Sequence, residues 1–395
     1  MVFVKYLNWI LLSSCAVFLA AGIYSTKVAK VCSLIAIGAF ILSRACDRSK
    51  PFFKNFFEFT SLNKAIYCFL AVAGLATIFG LSAYESQKVF FNRYIIYFFI
   101  FFVGAFIGKR RFALKIIILS LSVGAVLVSV GGLIDLFSGG PLRRLLTSFG
   151  APIYGTYFLY TLPFFIGFMI FHSSLKLKLI SFVAAVPVFA AFIFHGSRGV
   201  WLGLIAGFII TIILCSKKRG YLFGLSLLVI VLIGSVNFTR ERIMRVDNDS
   251  SIKVRLQMAA SAINIFKEYP VFGAGPGSYG GLMQDYYPDQ AKGARKHSHA
   301  HNTYLEVLAE VGILGLLSLL WILALFFCQG YRAVKKDPDA YNISFMIMFL
   351  AVFVSEFFMS VILVGIAAPV IFWLLLGAGT QVFKTKKIDK VKDAV

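Results

Sequence analysis

The sequence predicts an all-α integral membrane protein with about twelve transmembrane helices. Three observations carry that expectation. Of the 395 residues, 59% are hydrophobic and only 14% are charged. The mean hydropathy of +0.86 is out of range for a soluble domain of this size. The apolar residues gather in uninterrupted runs of about 20, the length that crosses a bilayer. A formal net charge of +22 raises the question of nucleic acid. The basic residues, however, sit in short clusters between apolar runs, as topology signals do, so no nucleic-acid partner is expected.

Taken in order, the expected spans centre near residues 14, 35, 74, 101, 123, 161, 185, 207, 228, 316, 350 and 373. The first contains Leu12-Ser13-Ser14-Cys15, which loosely resembles a lipoprotein cleavage box. Its apolar run continues to about Tyr24, which favours an uncleaved span. Cys15, Cys32, Cys68, Cys215 and Cys328 fall in apolar runs and Cys46 in a basic loop, a distribution that implies neither a disulfide framework nor a cysteine metal site. Residues 355–369 are compatible with a tight hairpin or with a longer broken helix.

Lys and Arg set the expected orientation. With the N-terminus inside and spans alternating, 23 of the 39 basic residues fall on the inner side and 7 in short outer segments. The long loop carries the remaining 9, and long loops cross regardless of charge. Both termini are therefore expected in the cytoplasm. The domain reading is spans one to nine in residues 1–236, an outer loop in 237–302, spans ten to twelve in 303–383 and a cytoplasmic tail in 384–395.

The outer loop carries most of the candidate chemistry. Within residues 251–269, Ile252, Leu256, Ala259, Ile263 and Phe266 form a helical apolar stripe with Lys253, Arg255 and Lys267 off it. That pattern reads as an amphipathic helix on the membrane or against the bundle, stopped by Pro270. The glycine-rich stretch from Gly273 to Gly281 lacks the Gly-Lys-Ser/Thr of a nucleotide-binding loop. His297, His299 and His301 alternate, but a third and fourth metal ligand are not evident, and no metal or cofactor is expected. Thr303-x-x-Glu306 reads as a capping box opening a helix, with His301 just ahead of its N-terminus. The helix dipole there keeps an imidazole neutral and able to accept a proton. Gly312 and Gly315, one turn apart, would permit close helix contact.

Arg198, between spans seven and eight, either snorkels to head groups or faces a cavity and an anionic ligand. Arg255 has lipid head groups as its plainer partner, and Arg143 and Arg144 have weaker claims. Guanidinium forks suit diphosphate oxygens. Glu356, an acid expected inside span eleven, is a functional candidate or the partner of another buried polar group.

With these residues in view, the chain resembles the O-antigen ligases of bacterial lipopolysaccharide assembly. Their wider superfamily includes O-antigen polymerases and O-linked oligosaccharyltransferases. The resemblance rests on the span count, the outer loop between spans nine and ten, and His301-Asn302-x9-Gly312-x-x-Gly315. Ser197-Arg198-Gly199, Val254-Arg255-Leu256 and the Pro270-to-Gly277 stretch support it. It implies a metal-independent membrane glycosyltransferase of the GT-C type in the bacterial inner membrane, with its active site in the periplasm. The donor would be O-polysaccharide on undecaprenyl diphosphate and the acceptor a sugar of lipid A–core. It further implies His301 as catalytic base and Arg198 and Arg255 on the donor diphosphate, with His299, Asn302, Glu306 and Glu356 as accessory candidates. A polymerase or oligosaccharyltransferase shares fold and donor and differs in acceptor, which the sequence does not reveal. A flippase would place its ionisable groups near the bilayer midplane, often with an internal repeat, and neither is seen here.

Overall fold

A computed structural model describes residues 2–22, 24–47, 60–138, 151–214, 219–235, 250–287 and 298–384. Arg143, Arg144, Cys215, His297 and nearly all of the expected tail lie outside these residues. The described residues are almost entirely helical and contain no strand. The helices are α1 (Val2–Ala21), α2 (Thr26–Cys46), α3 (Ser61–Phe79), α4 (Ala83–Gly108), α5 (Arg111–Phe137), α6 (Ala151–Phe171) and α7 (Leu175–His195). They continue with α8 (Arg198–Leu214), α9 (Arg219–Ser235), α10 (Ser250–Glu268), α11 (Tyr279–Leu282), α12 (Thr303–Lys336), α13 (Ala340–Ser355) and α14 (Ala367–Lys384).

Each of the twelve expected centres falls in a helix, and nine of these are long and apolar enough to cross a membrane among the described residues. The other three, α8, α9 and α13, have 17, 17 and 16 residues. At 1.5 Å per residue α13 reaches about 24 Å, short of a hydrocarbon core of about 30 Å, whereas α8 and α9 adjoin residues outside the described ones. The protein is therefore an all-α, multi-pass membrane protein, with nine full-length candidate spans among the described residues and about twelve expected.

Burial separates inner from outer helices. In α6 and α14, 78% and 83% of the apolar window is buried, against 22% in α7. Leu179, Val183 and Val186 on α7 are exposed, as lipid-facing residues would be. α14 runs along α4, α13 lies between α6 and α8, and α12 packs on α3. The α8–α13 contact is set by small residues four apart. Gly203 and Gly207 meet the carbonyls of Ala351 and Ile347, and Gly199 meets the side chain of Phe358. Bare backbone at these positions lets the two helices approach closely in a setting where water supplies no driving force.

The amphipathic helix of the loop is α10, and it rests against α12. Its buried face is not the expected stripe. Met258, Ser261, Ala262 and Ile265 are buried, whereas Leu256 and Ile263 are exposed. The helix is apolar on two sides. The side that meets protein is chosen by a small core brought to it from elsewhere, made by Ala274, Tyr279, Met283, Ala300 and Ala309. At its end, Glu268 accepts hydrogen bonds from the hydroxyls of Tyr286 and Tyr269 (2.6 and 2.8 Å), which hold its carboxyl below the usual carboxylate range.

α12 is broken at Gly312, whose φ of 73° and ψ of −170° leave the helix. This differs from the expected pair of glycines on one helix face. The Cβ of any other residue at 312 would collide with the carbonyl of Val271. The backbone groups freed by the break are taken by the glycine-rich segment. Ala274 N donates to Ala309 O, Gly275 N to Glu310 O, and Ile313 N to Pro270 O, each at 2.9 Å. Gly273, with φ of 70°, fits only because it also lacks a side chain against residues 310 and 311. Beyond the break, residues 313–336 extend about 36 Å, enough to span.

Gly312→Ala should therefore destabilise the protein. The left-handed conformation alone costs about 1–2 kcal/mol for a residue with a side chain, and the displaced Val271 loses its fit. Purified in detergent, the variant is expected to melt several degrees below wild type. Gly131→Ala, with nothing within 4 Å of the added methyl, should not. Equal melting of the two variants would count against the interlock.

Candidate active site

The site is built around the short connection between α13 and α14. It is a tight turn, residues 356–366, and not a broken helix. Glu356 directly follows the last residue of α13 and is 0% exposed. Its carboxylate accepts from the hydroxyl of Thr303 and from the backbone N–H groups of Val361 and Ile362 (2.9 and 3.2 Å). Its carbonyl and that of Met359 share the N–H of Thr303 (3.0 and 3.1 Å). One acid thus ties the turn to the first residue of α12.

Three further segments meet the same turn. Asn302 Nδ2 donates to Phe357 O (3.1 Å), and Arg255 Nη1 donates to Phe358 O (3.2 Å). Gly199, the neighbour of Arg198, packs on the side chain of Phe358. Arg198 is the first residue of α8 and is half-buried, just after the left-handed turn at Gly196 that ends α7. Positions 198, 255 and 302, far apart in sequence, are thereby drawn to one turn.

His301 precedes the N-cap of α12 and is half-buried. With φ of 50°, it is the one non-glycine residue in the left-handed region among the described residues. Such a conformation costs on the order of 1–3 kcal/mol and clusters at functional sites. The cap itself is Asn302, whose side-chain oxygen accepts from Leu305 N (3.1 Å). The Thr303–Glu306 pair does not form the expected capping box. The helix starts one residue ahead of that pattern, so both side chains are released to other partners. Thr303 goes to Glu356. Glu306 Oε1 meets His299 Nδ1 at 3.1 Å, and its Oε2 accepts from Ala300 N at 3.1 Å. An ionised carboxylate can only accept, so this contact places a proton on Nδ1 of His299.

One turn further on, Glu310 is buried and accepts from Tyr279 N (3.2 Å), tying the glycine-rich loop to α12. Among the described residues, no group of three His, Cys, Asp or Glu could hold a metal ion. A cleft of about 810 Å³ opens beside His299, with Lys30, Lys88 and Arg93 on its walls. The sequence reading counted these three cations only within the outer-side minority. No spacing links the cations to one another, though Glu85, Lys88 and Asn92 of the lining lie three and four apart on α4 and so share a helix face. The Gly199, Gly203, Gly207 series that sets the height of Arg198 was legible for the same reason.

Residues 182–320 match the family model described as O-antigen ligase, so this stretch is a domain of that family. It contains Arg198, Arg255, His299, His301, Asn302, Glu306 and both glycines of the broken helix, but not Glu356 or the cations of the cleft. No curated protein matches the chain. Fold and domain together are those of a multi-pass membrane protein that carries, in residues 182–320, a domain matching the O-antigen ligase family.

Glu356→Ala should loosen the turn and with it the start of α12. It leaves the buried N–H groups of Val361 and Ile362 unpartnered, at about 1–3 kcal/mol each, and the Thr303 hydroxyl with only its longer bond to Met359 O (3.3 Å). The expected outcome is a large fall in folded yield in detergent. Glu356→Gln, which keeps one acceptor oxygen, should recover part of it. Wild-type yield from the alanine variant would remove Glu356 from this role.

Proposed function

We propose that the protein is an O-antigen ligase. It transfers O-polysaccharide from undecaprenyl diphosphate to a sugar of lipid A–core at the periplasmic face of the inner membrane, without a metal. The reading is carried by the convergence of Arg198, Arg255 and the His301–Asn302 pair, all from the matched domain, on the turn after α13.

The chemistry follows from the groups present. A sugar hydroxyl attacks poorly until a base removes its proton. A neutral imidazole ahead of a helix N-terminus suits that task near neutral pH, and general-base assistance is worth about 10²–10⁴-fold. His301 is that base. The leaving group is a lipid diphosphate, on which negative charge builds as the anomeric bond breaks. Arg198 and Arg255 bind it through bidentate guanidinium contacts, with the N-terminus of α8 adding the positive end of its dipole beside Arg198. Donors fixed in advance where charge develops contribute about 10²–10³-fold each. One direct displacement inverts the anomeric carbon. The Glu356 turn and the Asn302 cap keep the base from drifting.

The test is genetic. The chromosomal copy is deleted, and wild type, His301→Ala or Arg198→Gln is restored at equal expression. Lipopolysaccharide is then resolved on a gel. Wild type should return the polymer ladder on lipid A–core. His301→Ala should leave free core together with full-length polymer on its carrier. Arg198→Gln should cut ligation by about 10²-fold or more. Core bearing a single repeat unit in the deletion strain would identify a polymerase, and an unchanged profile would remove the protein from this pathway.

A further inference from the structure

The cleft beside His299 is a separate feature. Its walls are α2, α4, the glycine-rich loop and residues 298–299, and its lining includes neither His301, Arg198 nor Arg255. A volume of about 810 Å³ is within the range of small-molecule sites. Most of the lining residues are of polar type. Lys30, Lys88 and Arg93 supply three cations, and Asn92, Ser298 and His299 supply hydrogen-bonding groups.

These cations are not explained as topology signals. In the orientation read from the sequence, the outer side holds few basic residues outside the long loop, and the charge bias works against each of them. Three of those few line one cleft. Arg93 is half-buried, unlike the exposed Glu85, Lys88 and Asn92 of the same helix. It lies in a π-helical segment, Phe90–Tyr94, and such bulges recur at functional sites. It lines a second, small pocket with Thr303, Glu306 and Glu310, so it stands between the cleft and the start of α12. Lys30 Nζ donates to Asn92 Oδ1 (3.1 Å), which holds the ammonium against α4. Of the two acids in the lining, Glu85 pairs with Lys88 (3.6 Å) and Glu310 accepts from Tyr279 N. The exposed Glu85–Lys88 pair holds its lysine only weakly, and Glu310 borders the small pocket beside Arg93.

The glycine-rich loop shapes the opposite wall. Gly277 packs directly on Val89 and Gly280 on the backbone of Ser298, so no side chains from these positions fill the space. His299 has its Nδ1 held by Glu306, and its side chain is 30% exposed where it borders the cleft. The site therefore combines a cluster of cations with sugar-type donors and acceptors, at the end of the bundle that carries the loop.

We infer that this cleft binds the phosphate of a phosphorylated saccharide carried on a membrane lipid, with Arg93 and Lys30 on the phosphate and Asn92, Ser298 and His299 on sugar hydroxyls. The inference rests on the ligase reading, in which the saccharide is the acceptor. The donor diphosphate would then lie with Arg198 and Arg255, and the segment from His299 to Asn302 would border both substrates.

The test measures binding to the full chain in nanodiscs. The probes are phosphorylated lipid A–core, the same glycolipid stripped of phosphate by hydrofluoric acid, undecaprenyl diphosphate, and phosphatidylglycerol as a plain phospholipid. Arg93→Gln and Lys30→Gln should each weaken phosphorylated lipid A–core by about tenfold or more, as loss of a charge-assisted contact does. Neither should change binding of the stripped glycolipid or of undecaprenyl diphosphate. Melting curves of both variants verify folding, and a variant that unfolds is replaced by Arg93→Lys with the same expectation at smaller size. Equal loss for phosphorylated and stripped glycolipid, loss confined to undecaprenyl diphosphate, or competition by phosphatidylglycerol at equal concentration would each overturn the inference. Transfer activity that persists without phosphate-dependent binding sinks the cleft and leaves the ligase. Phosphate-dependent binding in a protein that transfers nothing to lipid A–core leaves the cleft and sinks the ligase.

Discussion

The break in α12 at Gly312 is the constraint on which the rest of the structure depends. A helix that leaves its own ladder in or near a bilayer exposes backbone groups that lipid cannot satisfy. Here Ala309 O, Glu310 O and Ile313 N are taken up by Ala274, Gly275 and Pro270. The exchange works in both directions. The glycine-rich segment, irregular up to α11, receives a fixed conformation, and the half-helix from Thr303 to Val311 is locked at its inner end. The two most conspicuous glycine patterns of the sequence are one device, each half making the other sterically feasible.

From that anchor the site is assembled by short-range contacts of different kinds. Glu310 holds the loop at Tyr279, and Glu306 holds His299 and Ala300. Thr303 is pinned to Glu356 and Met359. A strained His301 persists because Asn302 is fixed on both sides of it, as cap of α12 and as donor to Phe357. On the far side, the glycines of α8 set its depth against α13, which sets where Arg198 meets the Phe358 turn. Positions carrying opposite chemical duties are thus held by backbone geometry more than by ion pairs.

The lipid-facing and loop-facing parts of the molecule divide the same residues differently. α10 illustrates this, with Leu256 and Ile263 outward and Met258, Ala262 and Ile265 on the loop core. Amphipathic character alone does not say which apolar face meets protein, because lipid and a protein core both accept it. Similarly, Thr303-x-x-Glu306 has the letters of a capping box. A competing cap one residue earlier, with better partners for both side chains, displaced it. Lys30, Lys88 and Arg93 were visible only as scattered charges, since nothing in their spacing along the chain links residue 30 to residues 88 and 93.

The sequence by itself determined the class of fold, because runs of about 20 apolar residues have one stable form in a bilayer. It also determined, to within a residue, where α12 begins, the positions of the histidines and arginines that carry the resemblance, and the existence of an amphipathic helix after residue 250. Those are local properties, set by periodicity, capping chemistry and composition within a window of one or two turns. Only the tertiary structure decided that Gly312 breaks α12 and that Asn302 caps it. It alone brought Glu356 onto Thr303, Arg255 onto Phe358, and three distant cations around one cleft. Each of those depends on groups tens to hundreds of residues apart meeting at a few ångströms, which helix packing settles and sequence spacing does not encode.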